Sequence, residues 1–143
     1  MKHMTIYLTF FIIMTAGIVF AGQDNTATLI IHVTGFENSN GTARIALVNS
    51  KENYSADTPF KGINGEIING EVKKTITLPF GEYAIKVYHD ENGNKELDTR
   101  IFGIPKERYG FSNNARGTMG PPEYEKAVFS LNSSKKEIFI IVK

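Results

Sequence analysis

Apolar and polar residues alternate at a period of two through most of the chain after Gly22. Successive side chains of a β-strand point to opposite faces, so this period predicts half-buried strands. The apolar positions fall into seven short runs: Leu29, Ile31, Val33; Ala43, Ile45, Leu47; a weaker run over Gly65–Asn69; Val72, Ile76, Leu78; Tyr83, Ile85, Val87; Ala127, Phe129, Leu131; and Ile138, Ile140, Val142. The sequence therefore predicts an all-β fold, an antiparallel β-sandwich of about seven strands.

Turn residues separate these runs. Asn40-Gly41 stands between the first two runs and predicts a hairpin, since both residues tolerate a positive φ. Asn69-Gly70 predicts a second turn before the fourth run. Residues 51–54 fit either a short helical turn or a loop, and Pro122 predicts a single helical turn before the sixth run.

Residues 78–83 read Leu-Pro-Phe-Gly-Glu-Tyr and give a more specific signal. Pro79 fixes its own φ at the end of a strand, and Gly81 can take a positive φ, so a sharp turn is expected. Tyr83 then enters the core with a hydroxyl that can reach the backbone, as in a tyrosine corner. The pattern resembles the corner of transthyretin-like, carboxypeptidase-regulatory and collagen-adhesin B-type sandwiches.

The N-terminus has the three parts of a secretory signal peptide. Lys2 and His3 precede fifteen uncharged, mostly apolar residues over 6–20, and Val19 and Ala21 place small residues before a cut at Gly22. A membrane anchor is the alternative, but this run is shorter than the ~20 residues that span a bilayer. We therefore expect residues 1–21 to be a signal peptide and 22–143 a single exported domain, periplasmic or extracellular, with no transmembrane segment.

Composition excludes several classes of protein. Without Cys there is no disulfide, thiol nucleophile or Cys-ligated metal, and no lipid anchor on a Cys near the cut. Removing residues 1–21 leaves 15 Lys and Arg against 15 Asp and Glu, which argues against nucleic-acid binding. An exported domain of this size without disulfides depends on its core or on a bound ion.

Residues 90–98 carry alternating oxygen-bearing side chains of the kind found in calcium loops. The predicted ligands occupy positions one, three, five, seven and nine of the pattern and are Asp90, Asn92, Asn94, Glu96 (through its carbonyl) and Asp98. Lys95 replaces the usual Gly at position six, and Ile101 replaces the usual Glu at position twelve. The pattern predicts a weak, structural Ca²⁺ site, with a solvated turn as the alternative.

The alternation disappears over residues 90–123, which predicts one long loop. Its aromatic residues distinguish it from a disordered segment, so it is expected to be ordered. One hypothesis gives it a carbohydrate or peptide site formed by Arg100, Tyr109, Phe111, Asn113, Asn114 and Arg116. The alternative, which we favour, is a satellite core of Phe102, Ile104, Tyr109 and Phe111, with the Asn side chains capping turns.

The chain resembles the bacterial secreted family catalogued as domain of unknown function 2141. The resemblance rests on His-Asp-Glu-Asn-Gly-Asn at 89–94, Phe-Gly-Ile-Pro at 102–105, Tyr-Gly-Phe-Ser-Asn-Asn at 109–114 and Gly-Pro-Pro at 120–122. Lys95 departs from the Asn-Gly-Asn-Gly that is common in that family's loop. The resemblance implies an envelope or extracellular location and a sandwich fold, and it implies no known activity.

The sequence offers no catalytic constellation. His3 would leave with the signal peptide, His32 lies on a polar strand face, and His89 is predicted to point inward and orient Asp90. No Gly-x-Ser-x-Gly elbow is present, and Ser112 has no nearby base in sequence. We expect a non-enzymatic binding or accessory module of the cell envelope, with a glycan or protein as partner. The competing prediction is a purely structural or assembly protein with no small ligand.

Overall fold

A computed structural model describes residues 25–143, so the predicted signal peptide lies outside the described residues. This part of the chain contains eight strands and two short α-helices. In chain order they are β1 (Thr26–Thr34), β2 (Thr42–Val48), α1 (Lys51–Ser55), β3 (Lys61–Gly65), β4 (Glu71–Pro79), β5 (Gly81–Asp90), β6 (Tyr109–Phe111), α2 (Tyr124–Ala127), β7 (Phe129–Leu131) and β8 (Lys135–Ile141).

The strands form two sheets. The first sheet has the order β4-β1-β8, and the second has the order β3-β2-β5-β6, with β7 paired to the start of β5. Every pair is antiparallel except β1 and β8, which run parallel. The predicted all-β sandwich is confirmed, with eight strands in place of about seven.

The core lies between the two sheets because alternate residues of each strand face the opposite sheet. Leu29, Ile31 and Val33 of β1 are fully buried, as their period predicts, and Ile45, Leu47 and Ile85 face them from the second sheet. The polar face of β1 is outside, where His32 stacks on Phe139 with 4.5 Å between ring centroids. This side of the first sheet is exposed.

The outer face of the second sheet is partly covered by both helices. A second apolar cluster there is formed by Val48, Tyr54, Ala84, Phe111, Ala115 and Ala127. Helix α1 begins where the Ser50 hydroxyl accepts a hydrogen bond from the Asn53 amide at 3.1 Å, which is an N-cap. The segment left open between helix and loop is therefore a helix, and the turn predicted after Pro122 is confirmed as α2.

The tyrosine corner is present. Tyr83 is buried, and its hydroxyl donates to the Pro79 carbonyl oxygen at 3.0 Å, which closes the turn between β4 and β5. Gly81, however, has no positive φ; a Cβ there would lie 3.5 Å from the Tyr83 ring. The positive φ predicted for Gly81 is therefore wrong, and the distance to the ring is an ordinary van der Waals contact.

Several local predictions are wrong. Asn40-Gly41 does not make a hairpin between β1 and β2, because these strands lie in different sheets and the turn connects one sheet to the other. The third strand is Lys61–Gly65 rather than 65–69, since Asn69 and Gly70 both take positive φ in a tight turn with Ile68 bridged to Glu71. Ala127 ends α2 instead of starting a strand.

The long loop is ordered and contains secondary structure. Residues 109–111 add β6 to the edge of the second sheet, opposite residues 86–88 of β5. A three-residue strand is too short for its alternation to be read from sequence. Within residues 25–143, no helix is both long and apolar enough to cross a membrane.

Candidate functional site

Residues 90–98, which we call the acidic loop, begin at the last residue of β5. Asp90 is fully buried there, although it is an acid at the end of a sandwich. Its Oδ2 accepts hydrogen bonds from Arg44 Nε at 2.8 Å and from the Lys95 amide at 3.1 Å. Its Oδ1 is buried and has no hydrogen-bond partner among the described residues.

The environment of Asp90 favours its charged form. Burial opposes ionisation and acts to raise the pKa of the carboxyl, but Arg44 and the backbone amides of Lys95 and Gly93 outweigh it. The pKa of Asp90 therefore lies below its ordinary value. The head of the loop thus holds a buried carboxylate, one oxygen of which has no hydrogen-bond partner among residues 25–143.

Three further predicted ligands converge at the surface of the loop. The Asn92 side-chain amide donates to Asp98 Oδ2 at 2.6 Å, and the Asn94 amide donates to Asp98 Oδ1 at 3.2 Å. Asn92 Oδ1 also accepts the Asn94 backbone amide, and Asn94 Oδ1 accepts that of Glu96. These bonds bend the chain around the side chains of 92, 94 and 98.

Lys95 takes the backbone conformation that position six of a calcium loop requires. Its φ is +69°, in the left-handed region where Gly usually stands. The departure from Gly therefore leaves the course of the chain intact and costs about 1 kcal/mol in backbone strain. Ile101, at position twelve, is 79% exposed and supplies no oxygen from its side chain.

Glu107 joins the two ends of the acidic loop. Its Oε1 accepts the Glu91 amide and its Oε2 accepts the Asp98 amide, both at 3.0 Å, and its side chain is buried. One carboxylate thereby holds residues 91 and 98 beside each other. Neither Glu107 nor Arg44 was a predicted site residue. The only sequence signal for Arg44 was its position in the alternation of β2, which places its side chain on the outer face of the sheet. No sequence signal indicated Glu107.

The donor set matches the preferences of Ca²⁺ in kind. Carboxylate, amide and carbonyl oxygens on alternate residues are hard ligands of the kind that Ca²⁺ prefers. Within residues 25–143 no three His, Asp or Glu side chains are grouped so that they could hold a metal ion. A metal ion held at this loop would therefore need oxygens from the two Asn side chains and from the Glu96 carbonyl in addition to those of Asp90 and Asp98.

Three residues of the predicted ligand-binding set hydrogen-bond to backbone. Asn113 donates to the carbonyls of Lys126 and Val128. Asn114 accepts the Ile141 amide at 2.8 Å and donates to the Phe139 carbonyl at 3.3 Å, so its side chain pairs with the edge of β8. Arg116 donates to the Ile141 carbonyl at 3.1 Å. Turn capping was predicted for the Asn side chains alone; Asn113 bonds to carbonyls at the end of α2, and Asn114 bonds to the edge of β8 rather than to a turn.

The aromatic members of the set are divided by burial. Phe111 is buried and packs edge-on against Tyr109, with 5.9 Å between ring centroids. Tyr109 is half-buried beside Arg116. Ser112 is fully buried: its hydroxyl accepts the Ile85 amide at 2.8 Å and donates to the Ala127 carbonyl at 2.5 Å, so it holds backbone rather than facing a base.

The predicted satellite core is only half correct. Tyr109 and Phe111 pack against the second cluster, whereas Phe102 and Ile104 are 96% and 58% exposed. Both exposed residues lie in a separate turn at 100–104, where the Arg100 amide donates to the Ile104 carbonyl at 2.6 Å. Neither residue belongs to the two apolar clusters formed within residues 25–143.

His89 points inward, as its parity predicts. Its ring is fully buried, Nε2 donates to the Asn40 carbonyl at 2.7 Å, and the ring packs edge-on against Phe36. Nδ1 lies 3.5 Å from Glu91 Oε1. His89 thus ties the Asn40-Gly41 turn to the end of β5, next to Asp90.

Comparison with known proteins gives one assignment. No curated protein and no solved structure matches the chain. The family model for DUF2141, described as an uncharacterised protein conserved in bacteria, matches residues 31–139, and this chain belongs to that family.

Proposed function

We propose that this protein is an exported, non-enzymatic binding or accessory module of the bacterial envelope, in which residues 90–98 bind Ca²⁺. The observation that carries the calcium site is the buried Asp90 carboxylate, whose Oδ1 lacks a partner among residues 25–143. An orphaned buried carboxylate oxygen is costly, because it has lost its water without gaining a hydrogen bond. A cation at this oxygen removes that cost.

The rest of the loop supports the same site. Asp98 accepts both Asn amides, and Glu107 holds residue 98 beside residue 91. Asp90, Asn92, Asn94 and Asp98 would supply side-chain oxygens and Glu96 its carbonyl. When bound, the ion supplies positive charge that holds the loop closed, which is a structural role and not a catalytic one.

A thermal melt tests the calcium site. With a dissociation constant on the order of 10⁻⁴–10⁻³ M, about 10 mM Ca²⁺ stabilises the folded chain by roughly 1.4–2.7 kcal/mol. The melting temperature should rise by several degrees over that in chelator, and much less in Mg²⁺. An unchanged melting temperature would contradict the site.

Variants of the loop locate the effect. Asp98→Asn removes one of the two predicted ligand charges and should abolish most of the calcium shift. Glu96→Gln is the matched control, because its exposed side chain is not a predicted ligand and only its carbonyl is. A calcium shift that survives Asp98→Asn places the ion elsewhere.

Export is tested separately. The proposal expects the mature protein in the periplasmic or extracellular fraction, with Gly22 as its first residue. An uncleaved chain in the cytoplasmic fraction would contradict this part.

A carbohydrate or peptide ligand at residues 100–116 is the second candidate. Because Asn113, Asn114 and Arg116 bond to backbone, this candidate depends mainly on the half-buried Tyr109. Binding on a glycan or peptide array that is lost in Tyr109→Ala favours it. Absence of binding favours the purely structural alternative.

A further inference from the structure

The chain between Asp98 and Lys106 forms a hairpin that we call the apolar tip. Thr99 is bridged to Pro105, and the Lys106 amide donates to the Asp98 carbonyl at 2.8 Å. The hairpin leads directly into residues 107 and 108, which precede β6 and run beside the last residues of β5, where the Arg108 carbonyl accepts the His89 amide at 2.8 Å. The apolar tip therefore projects from the end of the sandwich that carries the acidic loop.

The turn of this hairpin exposes three large apolar side chains within four residues. Ile101, Phe102 and Ile104 are 79%, 96% and 58% exposed. A contiguous group of this kind on a small domain indicates an interaction site, since isolated exposed apolar residues are common but clusters are not.

The backbone at Phe102 strengthens the argument. Its φ is +67°, a conformation that Gly or Asn adopts readily and that a bulky aromatic residue rarely takes. A turn optimised only for stability would have Gly or Asn here. Local strain at an exposed aromatic side chain indicates that the side chain itself is required.

Cations flank the apolar residues. Arg100 and Lys106 stand on either side of the turn, both exposed, and neither takes part in the salt bridges formed within residues 25–143. An apolar projection between two free cations suits the boundary between anionic headgroups and acyl chains. A protein partner would have to supply a pocket for each projecting side chain, whereas a bilayer accepts a convex tip without one.

We propose that the apolar tip inserts into the surface of an anionic phospholipid bilayer. Phe102 and its two Ile neighbours enter the acyl boundary, while Arg100 and Lys106 contact the phosphates. Bilayer insertion gives the proposed envelope module an anionic membrane as its partner. It rests on the proposed function only because an exported protein has access to a membrane. Attachment is weak and reversible, because one small apolar group and two charges are far less than a transmembrane helix.

A fluorescent variant tests insertion directly. The chain contains no Trp, so Phe102→Trp introduces a single indole at the tip. Its emission should shift to the blue with vesicles of phosphatidylcholine containing about one third phosphatidylglycerol, and much less with phosphatidylcholine alone. Phe80→Trp is the matched control; it lies in the β4–β5 turn, about 30 Å away at the other end of β5, and its emission should not shift.

Vesicle flotation tests the contribution of each part. Phe102→Asn should weaken binding at least about tenfold, and Asn suits the positive φ, so the fold is retained. Phe80→Asn should leave binding unchanged. Arg100→Gln with Lys106→Gln should weaken binding and reduce its sensitivity to salt.

Absence of binding to anionic vesicles would overturn the proposal, and so would binding that survives Phe102→Asn. A blue shift that depends on protein concentration in the absence of lipid would also overturn it, because it indicates that the tip contacts a second copy of the chain. Running each measurement in calcium and in chelator separates this proposal from the calcium site. If Phe102→Asn abolishes vesicle binding both in calcium and in chelator, the result supports membrane insertion by the apolar tip. This holds even when calcium leaves the melting temperature unchanged.

Discussion

Arg44 Nε and Asp90 Oδ2 lie 2.8 Å apart, and this ion pair connects β2 to the head of the acidic loop. The Asp90 side chain is fully buried, whereas 21% of the Arg44 side chain is exposed. Arg44 also donates to Asn64 Oδ1 of β3 at 2.9 Å. The ends of three strands of the second sheet are thus held together around one buried carboxylate.

We predict that Arg44→Gln lowers the free energy of unfolding by about 2–3 kcal/mol, because it leaves the buried Asp90 charge without its cation. The figure is below that for a fully buried pair since Arg44 is partly hydrated. Urea unfolding measures the loss. Lys73→Gln, on the exposed edge strand β4, is the control and should change stability by less than about 0.5 kcal/mol. Equal losses in the two variants would show that Asp90 does not need Arg44.

We predict that Glu107→Gln loosens the acidic loop without unfolding the sandwich. Gln has only one oxygen, so one of the two amides now bound by Glu107 faces an NH₂ group, at a cost of about 1–2 kcal/mol. Hydrogen exchange at the amides of Glu91 and Asp98 should accelerate, and that of Ile31 in the core should not. Lys106→Gln, next in sequence and exposed, should leave the exchange of all three unchanged.

Much of the sandwich follows from the two-residue period, as Leu29 and Ile31 show, because the period reports which face of a strand is covered. The period says nothing about which strands pair. Asn40-Gly41 therefore suggested a hairpin, while β1 and β2 lie in opposite sheets. The acidic loop was visible because its residues are consecutive. Arg44 contacts Asp90, which is 46 positions away in sequence. Glu107 contacts Glu91 and Asp98, which are 16 and 9 positions away. No local sequence pattern indicates contacts of this kind.

We predict that Gly41→Ala is far more destabilising than Gly93→Ala. Both glycines have a positive φ, which costs Ala about 1 kcal/mol. At Gly41 an added Cβ would also lie 1.9 Å from the Asp90 carbonyl oxygen, whereas at Gly93 it meets nothing within 4 Å. We expect a loss of at least about 3 kcal/mol for Gly41→Ala and about 1 kcal/mol for Gly93→Ala. Equal melting temperatures for the two variants would contradict the close approach of the turn to β5.

We predict that Ser112→Ala costs about 2 kcal/mol, because it leaves the Ile85 amide and the Ala127 carbonyl without their partner in a buried site. Ser130→Ala, on the exposed face of β7, is the control and should be nearly neutral. Chemical denaturation compares the two. A nearly neutral Ser112→Ala would mean that water replaces the hydroxyl.

The pH dependence of stability at high pH should reflect Tyr54. Burial, followed by the charge of Asp57, raises the pKa of its phenol to about 12 from an ordinary value of 10.0. Since the unfolded chain releases this proton first, the contribution of Tyr54 is complete below about pH 10 and is lost as the pH rises from 10 towards 12. Tyr54→Phe should make this decline shallower and remove the latest step of the phenolate absorbance titration.

Tyr54→Phe should also cost about 1–2 kcal/mol at neutral pH, because the Pro122 carbonyl loses its donor at 3.0 Å. Tyr88→Phe is the control, because it leaves the bond to Pro122 intact. If the latest phenolate step persists in Tyr54→Phe and disappears in Tyr88→Phe, that step belongs to Tyr88 and the prediction for Tyr54 is wrong.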